Sequence, residues 1–158
     1  MMTNILSIVG ACVANELTPF VANELTPLEA CWFARDVYAK DRDIKDWERF
    51  KSFDDYKKER KEKGDDFGYF GACYIKKDNG KIRQIVIAHR GTYNLKGVVD
   101  DVNVFFNQMA KQYAVAKEFY EWLMSQLPQI SQADIEIYQV GDSLGAYIAE
   151  FLAIEQKQ

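Results

Sequence analysis

A serine between two glycines is the group in this chain best suited to chemistry. Residues 141–145 have the sequence G-D-S-L-G, with Ser143 at the centre. Alternating apolar residues precede them and a helix-like run follows, which predicts a strand, a tight turn and a helix. Such a turn is a nucleophile elbow, in which the serine hydroxyl is lifted above the sheet edge. Gly141 and Gly145 would let the strand and the helix approach closely, so Ser143 is the candidate nucleophile.

Groups able to activate this serine are scarce. His89 is the only histidine, and it lies on a predicted strand that leads to the R-G-T sequence of residues 90–92, the wrong place for a general base. No Asp or His follows Ser143. A serine hydroxyl without a base is a poor nucleophile at neutral pH. We therefore interpret the chain as a truncated enzyme domain and expect it to be inactive, or nearly so, by itself.

Composition and charge indicate a single globular domain over residues 1–158, long enough to bury a core. The net charge of −4 and the lack of a basic stripe give no indication of nucleic-acid binding. The three cysteines, Cys12, Cys31 and Cys73, are predicted to be buried thiols because their spacing fits neither a disulfide framework nor a zinc site. We interpret Asp100 and Asp101 as caps of the next helix rather than as metal ligands. No metal or organic cofactor is expected.

Two features mark the N-terminal region. An apolar run at residues 5–12 favours a first amphipathic helix over a secretion signal, because no basic residue precedes it and it is short for a signal core. The sequence does not decide where the protein acts. It is compatible with a cytoplasmic protein and with a secreted, effector-like one. Residues 13–28 are a near-perfect tandem duplication of eight residues. Two such short copies do not make a solenoid, so we assign the duplication no function.

Two helices are predicted before the first clear strand. Thr26, Pro27 and Glu29 form a helix start with a capping box and a proline at the first position. The helix over 27–40 is expected to bury its large apolar side chains and its cysteine: Leu28, Cys31, Trp32 and Tyr38. Residues 47–63 carry charges of both signs and predict a solvated helix packed through aromatic residues, namely Phe50, Phe53 and Tyr56.

The rest of the chain has an alternating strand and helix pattern. Strand-like runs at 69–76 and 82–88 flank Asn79-Gly80, a strong hairpin signal. A long helix follows, whose core face is predicted from a spacing of three and four: Val102, Phe106, Met109, Tyr113, Ala116, Tyr120, Leu123 and Leu127. A strand at 134–140 and a helix at 146–154 complete an α/β pattern with a parallel sheet.

The order of these motifs resembles the class 3, or fungal-type, lipases of the α/β-hydrolase superfamily. Members carry an R-G-T or R-G-S turn after a central strand, an aspartate shortly after it, and G-H-S-L-G-[GA] at the elbow. This chain has R-G-T at 90–92, an acidic pair at 100–101 and G-D-S-L-G-A at 141–146. The resemblance covers roughly residues 27–156, about the N-terminal half of such a domain. It implies a truncated α/β-hydrolase-like fold.

The resemblance also implies roles for individual residues. Ser143 would attack the ester carbonyl, and the backbone N–H groups of Leu144 and Thr92 would form the oxyanion hole with help from the Thr92 hydroxyl. Arg90 and Gly91 would shape the turn before Thr92. The implied substrate is a lipid or other small acyl ester, which allows peripheral membrane contact.

Two neighbours of the elbow are candidates for tuning the site rather than for reacting. Asp142 stands where the family has a histidine, and a carboxylate there opposes the developing oxyanion unless it is paired or points away. His89 would lie beside the oxyanion turn and support it from behind.

Other interpretations stay open. Residues 141–144 also spell the signature of the GDSL esterases, which place it near the start of their domain; they too would use Ser143 as nucleophile. A non-catalytic module that binds a partner or lipid would explain the missing base and Asp142. A third interpretation is that the motif arose by chance and that Ser143 only caps a helix. Truncation would leave the strand at 134–140 as an apolar sheet edge, which invites self-association.

Overall fold

The computed structural model describes residues 5–9, 25–37, 44–61, 64–90, 102–127 and 135–156. These residues form a mixed α/β fold. The elements in chain order are β1 (Ile5–Val9), α1 (Pro27–Asp36), β2 (Glu48–Ser52), α2 (Phe53–Arg60), β3 (Gly71–Asp78), β4 (Lys81–His89), α3 (Val102–Gln126), β5 (Glu136–Gly141) and α4 (Leu144–Glu155).

The five strands form one sheet in the order β1-β5-β4-β3-β2. β1, β5 and β4 are parallel, whereas β3 and β2 are antiparallel to their neighbours. The predicted hairpin is confirmed: β3 and β4 join at Asn79 and Gly80, which have φ of 50° and 75°. Positive φ at both central residues matches the twist of the strands they connect. Parallel pairing of β4 with β5 across the long helix is also as predicted.

β1 corrects two expectations about the sheet. The run at 5–12 was expected to be an amphipathic helix, but residues 5–9 form a strand parallel to β5, with Ile5 opposite Ile137. Isoleucine and valine prefer strands, and pairing with β5 gives this short segment backbone hydrogen-bond partners along one side. β5 is therefore an inner strand, and the expectation that it forms the exposed edge is wrong. Any self-association through a sheet edge would use β1 or β2.

The buried face of α1 differs from the expected one. The capping box is confirmed, since the Thr26 hydroxyl accepts from the Glu29 N–H at 3.2 Å and Glu29 accepts from the Thr26 N–H at 2.9 Å. The helix ends at Asp36, and its core residues are Ala30, Phe33, Ala34 and Val37. Leu28 and Trp32 are instead 60 % and 43 % exposed, Cys31 is half-buried, and Tyr38 lies outside the described residues. Phe33 sets the face because its ring lies against those of Trp47 and Tyr74.

The charged segment at 47–63 contains a strand as well as the predicted helix. Residues 48–52 form β2, an edge strand with the charged sequence E-R-F-K-S, which hides its strand character and protects the edge. α2 starts after Ser52, whose N–H donates to the Asp55 carboxylate at 2.8 Å. Phe53 and Tyr56 are buried as predicted, and Phe50 is partly buried.

Of the eight residues predicted for the core face of α3, two are buried, two are exposed and four are partly buried against the core: Met109, Tyr113, Tyr120 and Leu127. Ala116 and Leu123 are buried as expected, but Gln112 and Phe119 complete the buried stripe. Val102 and Phe106, predicted to be buried, are exposed. The predicted list repeats every seven residues, and on a straight helix such a stripe rotates by about 20° per heptad away from the true face. The prediction is therefore wrong at the N-terminal end of α3, which is furthest from the buried residues Ala116 and Leu123.

Helices cover both faces of the sheet. α1 lies on one face, where Phe33 contacts Tyr74 and the Leu25 N–H donates to the Tyr138 hydroxyl. α3 and α4 lie on the other face, α2 packs on α3 through Phe53 and Phe119, and α4 follows β5 directly. This arrangement places the C-terminal ends of the parallel strands β4 and β5 next to the start of α4.

Truncation of Phe33 should reveal which face of α1 supports the fold. Phe33→Ala removes a fully buried ring and should lower the free energy of unfolding by about 3–5 kcal/mol. The neighbouring Trp32→Ala is the matched control and should lower it by less than about 1 kcal/mol, because Trp32 is 43 % exposed. Urea unfolding followed by circular dichroism measures both, and equal losses would show that this face is misassigned.

Candidate active site

The turn at residues 141–145, called the elbow from here on, has the conformation of a strained strand-to-helix turn. β5 ends at Gly141, α4 begins at Leu144, and between them Ser143 has φ 52° and ψ −127°. A side chain at positive φ costs of order 1–3 kcal/mol, and it persists only where the surroundings enforce it. Ser143 is exposed, and its hydroxyl makes no capping hydrogen bond to α4. The helix-cap explanation of the motif is therefore wrong.

Both glycines of the elbow occupy positions where a side chain does not fit. A Cβ atom on Gly141 would come within 3.0 Å of the Gly145 backbone, closer than real Cβ atoms approach a neighbour. A Cβ atom on Gly145 would come equally close to the His89 carbonyl. The first turn of α4 therefore lies directly on the backbone of β4 and β5, with no side chain between them.

Leu144 is placed to serve as an oxyanion donor. It is the first residue of α4, and the N–H groups of a first helical turn have no acceptor within the helix. The same end of the helix carries partial positive charge, which favours an anion beside it. Leu144 directly follows Ser143, the relation that the oxyanion hole of a nucleophile elbow uses. The partner predicted for it, Thr92, lies outside the described residues, as do Gly91, Asp100 and Asp101.

Arg90 and Asp142 flank the elbow on the two strands. The Arg90 N–H donates to the Phe70 carbonyl at 2.9 Å, and its guanidinium lies 5.1 Å from the centre of the Phe70 ring. Arg90 thus continues the pairing of the hairpin one residue beyond His89. Asp142 is half-buried, and its carbonyl accepts from the Ala146 N–H at 3.3 Å.

His89 is fully buried and both of its ring nitrogens are engaged. Nδ1 lies 2.8 Å from the Tyr69 hydroxyl, and Nε2 lies 2.7 Å from the Gln139 Oε1. Burial lowers the pKa of His89 to about 4, because the charged ring would lose its hydration. The side chain is therefore neutral at physiological pH and has no free nitrogen with which to accept the Ser143 proton.

Sequence reasoning placed His89 beside the elbow but missed its partners. Gln139 is a polar residue in an otherwise apolar strand, two residues before Gly141, so it shares a sheet face with Gly141. His89 lies opposite Gly141 in the register of β4 and β5. A buried histidine needs polar neighbours, so an inward-facing glutamine on the adjacent strand was the signal that could have identified this pair.

The described residues contain no other candidate centre for chemistry. They hold no group of three or more His, Cys, Asp and Glu side chains that could bind a metal ion. Cys73 is buried and Cys31 is half-buried, neither forms a disulfide, and Cys12 is not among the described residues. Within the same part of the chain, no helix combines the length and apolar character needed to cross a bilayer.

Comparison of the chain with models of known protein families, with curated proteins and with solved structures found no match. An assignment of function therefore depends on the geometry of the elbow and on the order of the motifs.

Replacement of Gly145 tests the close approach of α4 to β4. Gly145→Ala should lower the free energy of unfolding by about 3 kcal/mol or more, because the added methyl overlaps backbone atoms that cannot move independently. Gly64→Ala is the control: nothing lies within 4 Å of its Cβ position, and its stability should change by less than about 1 kcal/mol. Thermal unfolding compares the two, and a tolerated Gly145→Ala would contradict the packing.

The burial of His89 predicts a loss of stability in mild acid. Its pKa is about 4 in the folded chain and 6.5 for an unperturbed histidine, so the unfolded chain takes up the proton first as the pH falls. The free energy of unfolding should therefore decrease between about pH 6.5 and pH 4, by about 3 kcal/mol in total. Asp55 and Asp66 have lowered pKa values, and their contribution is lost only at more acidic pH.

Urea unfolding at a series of pH values measures this slope. His89→Gln removes the only histidine, so the part of the slope that belongs to His89 should disappear in this variant. A wild-type slope that persists in His89→Gln would mean that another group is responsible.

Proposed function

We propose that this chain carries the nucleophile portion of a lipase-like serine hydrolase of the α/β-hydrolase type, which cleaves an acyl ester through an acyl-serine intermediate. The observation that carries the proposal is the conformation of Ser143: an exposed serine at φ 52° between two glycines that allow no side chain. Neither a helix cap nor an ordinary loop needs this strain, whereas a nucleophile that must project from the sheet does.

The topology around the elbow supports the same proposal. β4 and β5 are adjacent and parallel, and His89 lies opposite Gly141. Arg90, the first residue of the R-G-T sequence, therefore follows β4 at the end of the sheet beside the elbow, and we propose that the donor needed there comes from this sequence. This is the arrangement implied by the resemblance to class 3 lipases, and it depends on residues 90–92 and 141–146 together rather than on either motif alone.

The chemistry assigned to the elbow is acyl transfer. The Ser143 Oγ attacks the ester carbonyl, its proton passes to a base, and the carbonyl oxygen becomes an oxyanion beside the Leu144 N–H. Collapse of this intermediate expels the alcohol and leaves an acyl-serine, which water then hydrolyses. His89 cannot be the base, because it is buried and both nitrogens are engaged. As no other histidine is present, the 158 residues need a base from outside them.

A second candidate function is binding without catalysis, and one surface favours it. α4 buries one side against the sheet, yet its opposite side also carries apolar residues: Tyr147, Phe151 and Ile154, which are 48 %, 47 % and 51 % exposed. A helix that is apolar on both sides is normally covered on both. This outer face of α4 suits contact with a protein partner or a lipid.

Chemical rescue by a soluble base tests the hydrolase proposal. The full chain is incubated with p-nitrophenyl acetate, with and without imidazole, and acetylation is located by peptide mass spectrometry. Imidazole takes the Ser143 proton that a catalytic histidine would take, so it should raise the rate of acetylation at Ser143 at least about ten-fold. Turnover without imidazole should be negligible and should not depend on Ser143.

Two variants make the result specific. Ser143→Ala should abolish the imidazole-dependent adduct. Ser125 is the internal comparison, since it is exposed on α3 and bonds only to the Trp122 carbonyl, at 2.6 Å, in the described structure. If Ser143 is acetylated no faster than Ser125 in imidazole, the elbow is not a working nucleophile and the hydrolase proposal fails.

A further inference from the structure

A chain of buried hydrogen bonds runs behind the elbow and links the four segments that surround it. The Tyr69 hydroxyl lies 2.8 Å from the His89 Nδ1, and the His89 Nε2 lies 2.7 Å from the Gln139 Oε1. The Gln139 Nε2 in turn donates to the Gln156 Oε1 at 3.2 Å. Tyr69, His89 and Gln139 are all at most 1 % exposed. We call these four residues the elbow clamp.

The orientation of the Gln139 amide determines the direction of the hydrogen bonds in the elbow clamp. The Gln139 Oε1 has no proton to give, so the His89 Nε2 carries the hydrogen and donates it. The His89 Nδ1 is then a lone-pair acceptor, and it receives the Tyr69 hydroxyl proton. The neutral imidazole thus has one tautomer, and each of its nitrogens has one partner.

The positions of the four residues bracket Ser143. Gln139 lies two residues before Gly141 on β5, and Gln156 directly follows the last residue of α4. His89 lies opposite Gly141, and its carbonyl contacts the position of Gly145. The elbow clamp therefore joins the strand that enters the turn, the helix that leaves it and the strand beside it.

The hairpin contributes Tyr69 through a second close approach. A Cβ atom on Gly71 would come within 3.0 Å of the Tyr69 hydroxyl, so this glycine leaves the space through which Tyr69 reaches His89. Gly71 is also the β3 residue opposite His89. The glycine at position 71 thus leaves room for the Tyr69 hydroxyl to reach His89, in a region that apolar side chains alone would fill more simply.

We infer that His89 is a positioning residue, which holds the Ser143 turn in its strained conformation through Gln139 and through its own backbone contact with Gly145. A strained φ persists only where the surroundings over-determine it, and buried hydrogen bonds rigidify the elements that they join where the polar groups are paired. Both ring nitrogens of His89 and both amide atoms of Gln139 are paired, whereas the Gln156 Nε2 at the end of the elbow clamp has no partner among the described residues. The elbow clamp supplies this rigidity on the side of the turn opposite the solvent. Only the catalytic consequence of this inference rests on the proposed function, whereas the structural role of His89 does not.

The test compares two tyrosines that lose the same group. Tyr69→Phe removes the hydroxyl that serves His89, whereas Tyr74→Phe removes an equally buried hydroxyl that donates to Asp36 on the opposite face of the sheet. Both variants lose one buried hydrogen bond, and Tyr74→Phe should lose at least as much stability as Tyr69→Phe, because it leaves the buried Asp36 carboxyl group without this bond. Only Tyr69→Phe should shift the backbone amide NMR signals of Ser143 and Leu144. It should also slow the imidazole-dependent acetylation of Ser143 in the folded chain by about ten-fold.

A third variant keeps the test independent of folding failures. His89→Gln retains a donor and an acceptor and should keep most of the Ser143 acetylation rate, whereas His89→Leu retains neither and should lose it. Because His89 is the only histidine, its imidazole nitrogen signals also report the tautomer directly. A protonated Nδ1, or a ring that titrates near pH 6.5, would overturn the inference.

The outcomes separate this inference from the proposed function. If wild-type Ser143 is not acetylated in imidazole, but its amide signal shifts in Tyr69→Phe and not in Tyr74→Phe, the hydrolase proposal fails and the positioning role stands. If Ser143 is acetylated and both tyrosine variants behave alike in signals and rate, His89 fills space only and the positioning role fails.

Discussion

The contact of backbone with backbone at the elbow is the constraint on which the rest of the structure depends. Gly145 lies on the His89 carbonyl, and Gly141 lies on Gly145, with no room for a Cβ atom at either place. This contact draws the first turn of α4 against β4 and β5 at once. The chain must then reverse direction between Gly141 and Leu144, and Ser143 takes up the reversal at positive φ. The exposure of its hydroxyl is a consequence of this packing.

The polar groups behind the elbow show that packing is not the only requirement there. A histidine buried with a tyrosine and a glutamine gains only modest net stability from its hydrogen bonds, and each group would be costly if left unpaired. Apolar residues of similar volume would serve a purely structural role at least as well. The chain instead keeps a hydrogen-bonded network whose members lie before, beside and after one strained residue. The location of the network is thus better explained by the geometry of Ser143 than by the stability of the sheet.

The parts of the fold that could be predicted from the sequence are those with local causes. The Asn79-Gly80 hairpin, the capping box at Thr26 and the elbow each depend on backbone preferences of adjacent residues, and each is present. The face of α1 could not be predicted, because it depends on where Phe33 meets Trp47 and Tyr74.

The two edge strands of the sheet, β1 and β2, could not be predicted from the sequence, each for a different reason. β2 is masked by its charges, and β1 is defined by a partner more than a hundred residues away. For the site, the glycine and serine pattern predicted the tight strand-to-helix turn at Ser143. The engagement of His89 required knowledge of which strands are neighbours.

The two candidate functions meet at the same place on the surface, so location alone does not separate them. Tyr147 lies one helical turn after Ser143, and its ring contacts Phe105 of α3. A partner or lipid that covers the outer face of α4 would therefore lie next to the elbow. Conformation does separate the two functions. A binding surface needs exposed apolar side chains but has no use for a serine at φ 52°, which lowers stability without adding contact area. The proposed hydrolase function gives the exposed hydroxyl at this strained position a use, and for that reason it accounts for more of the structure than binding alone.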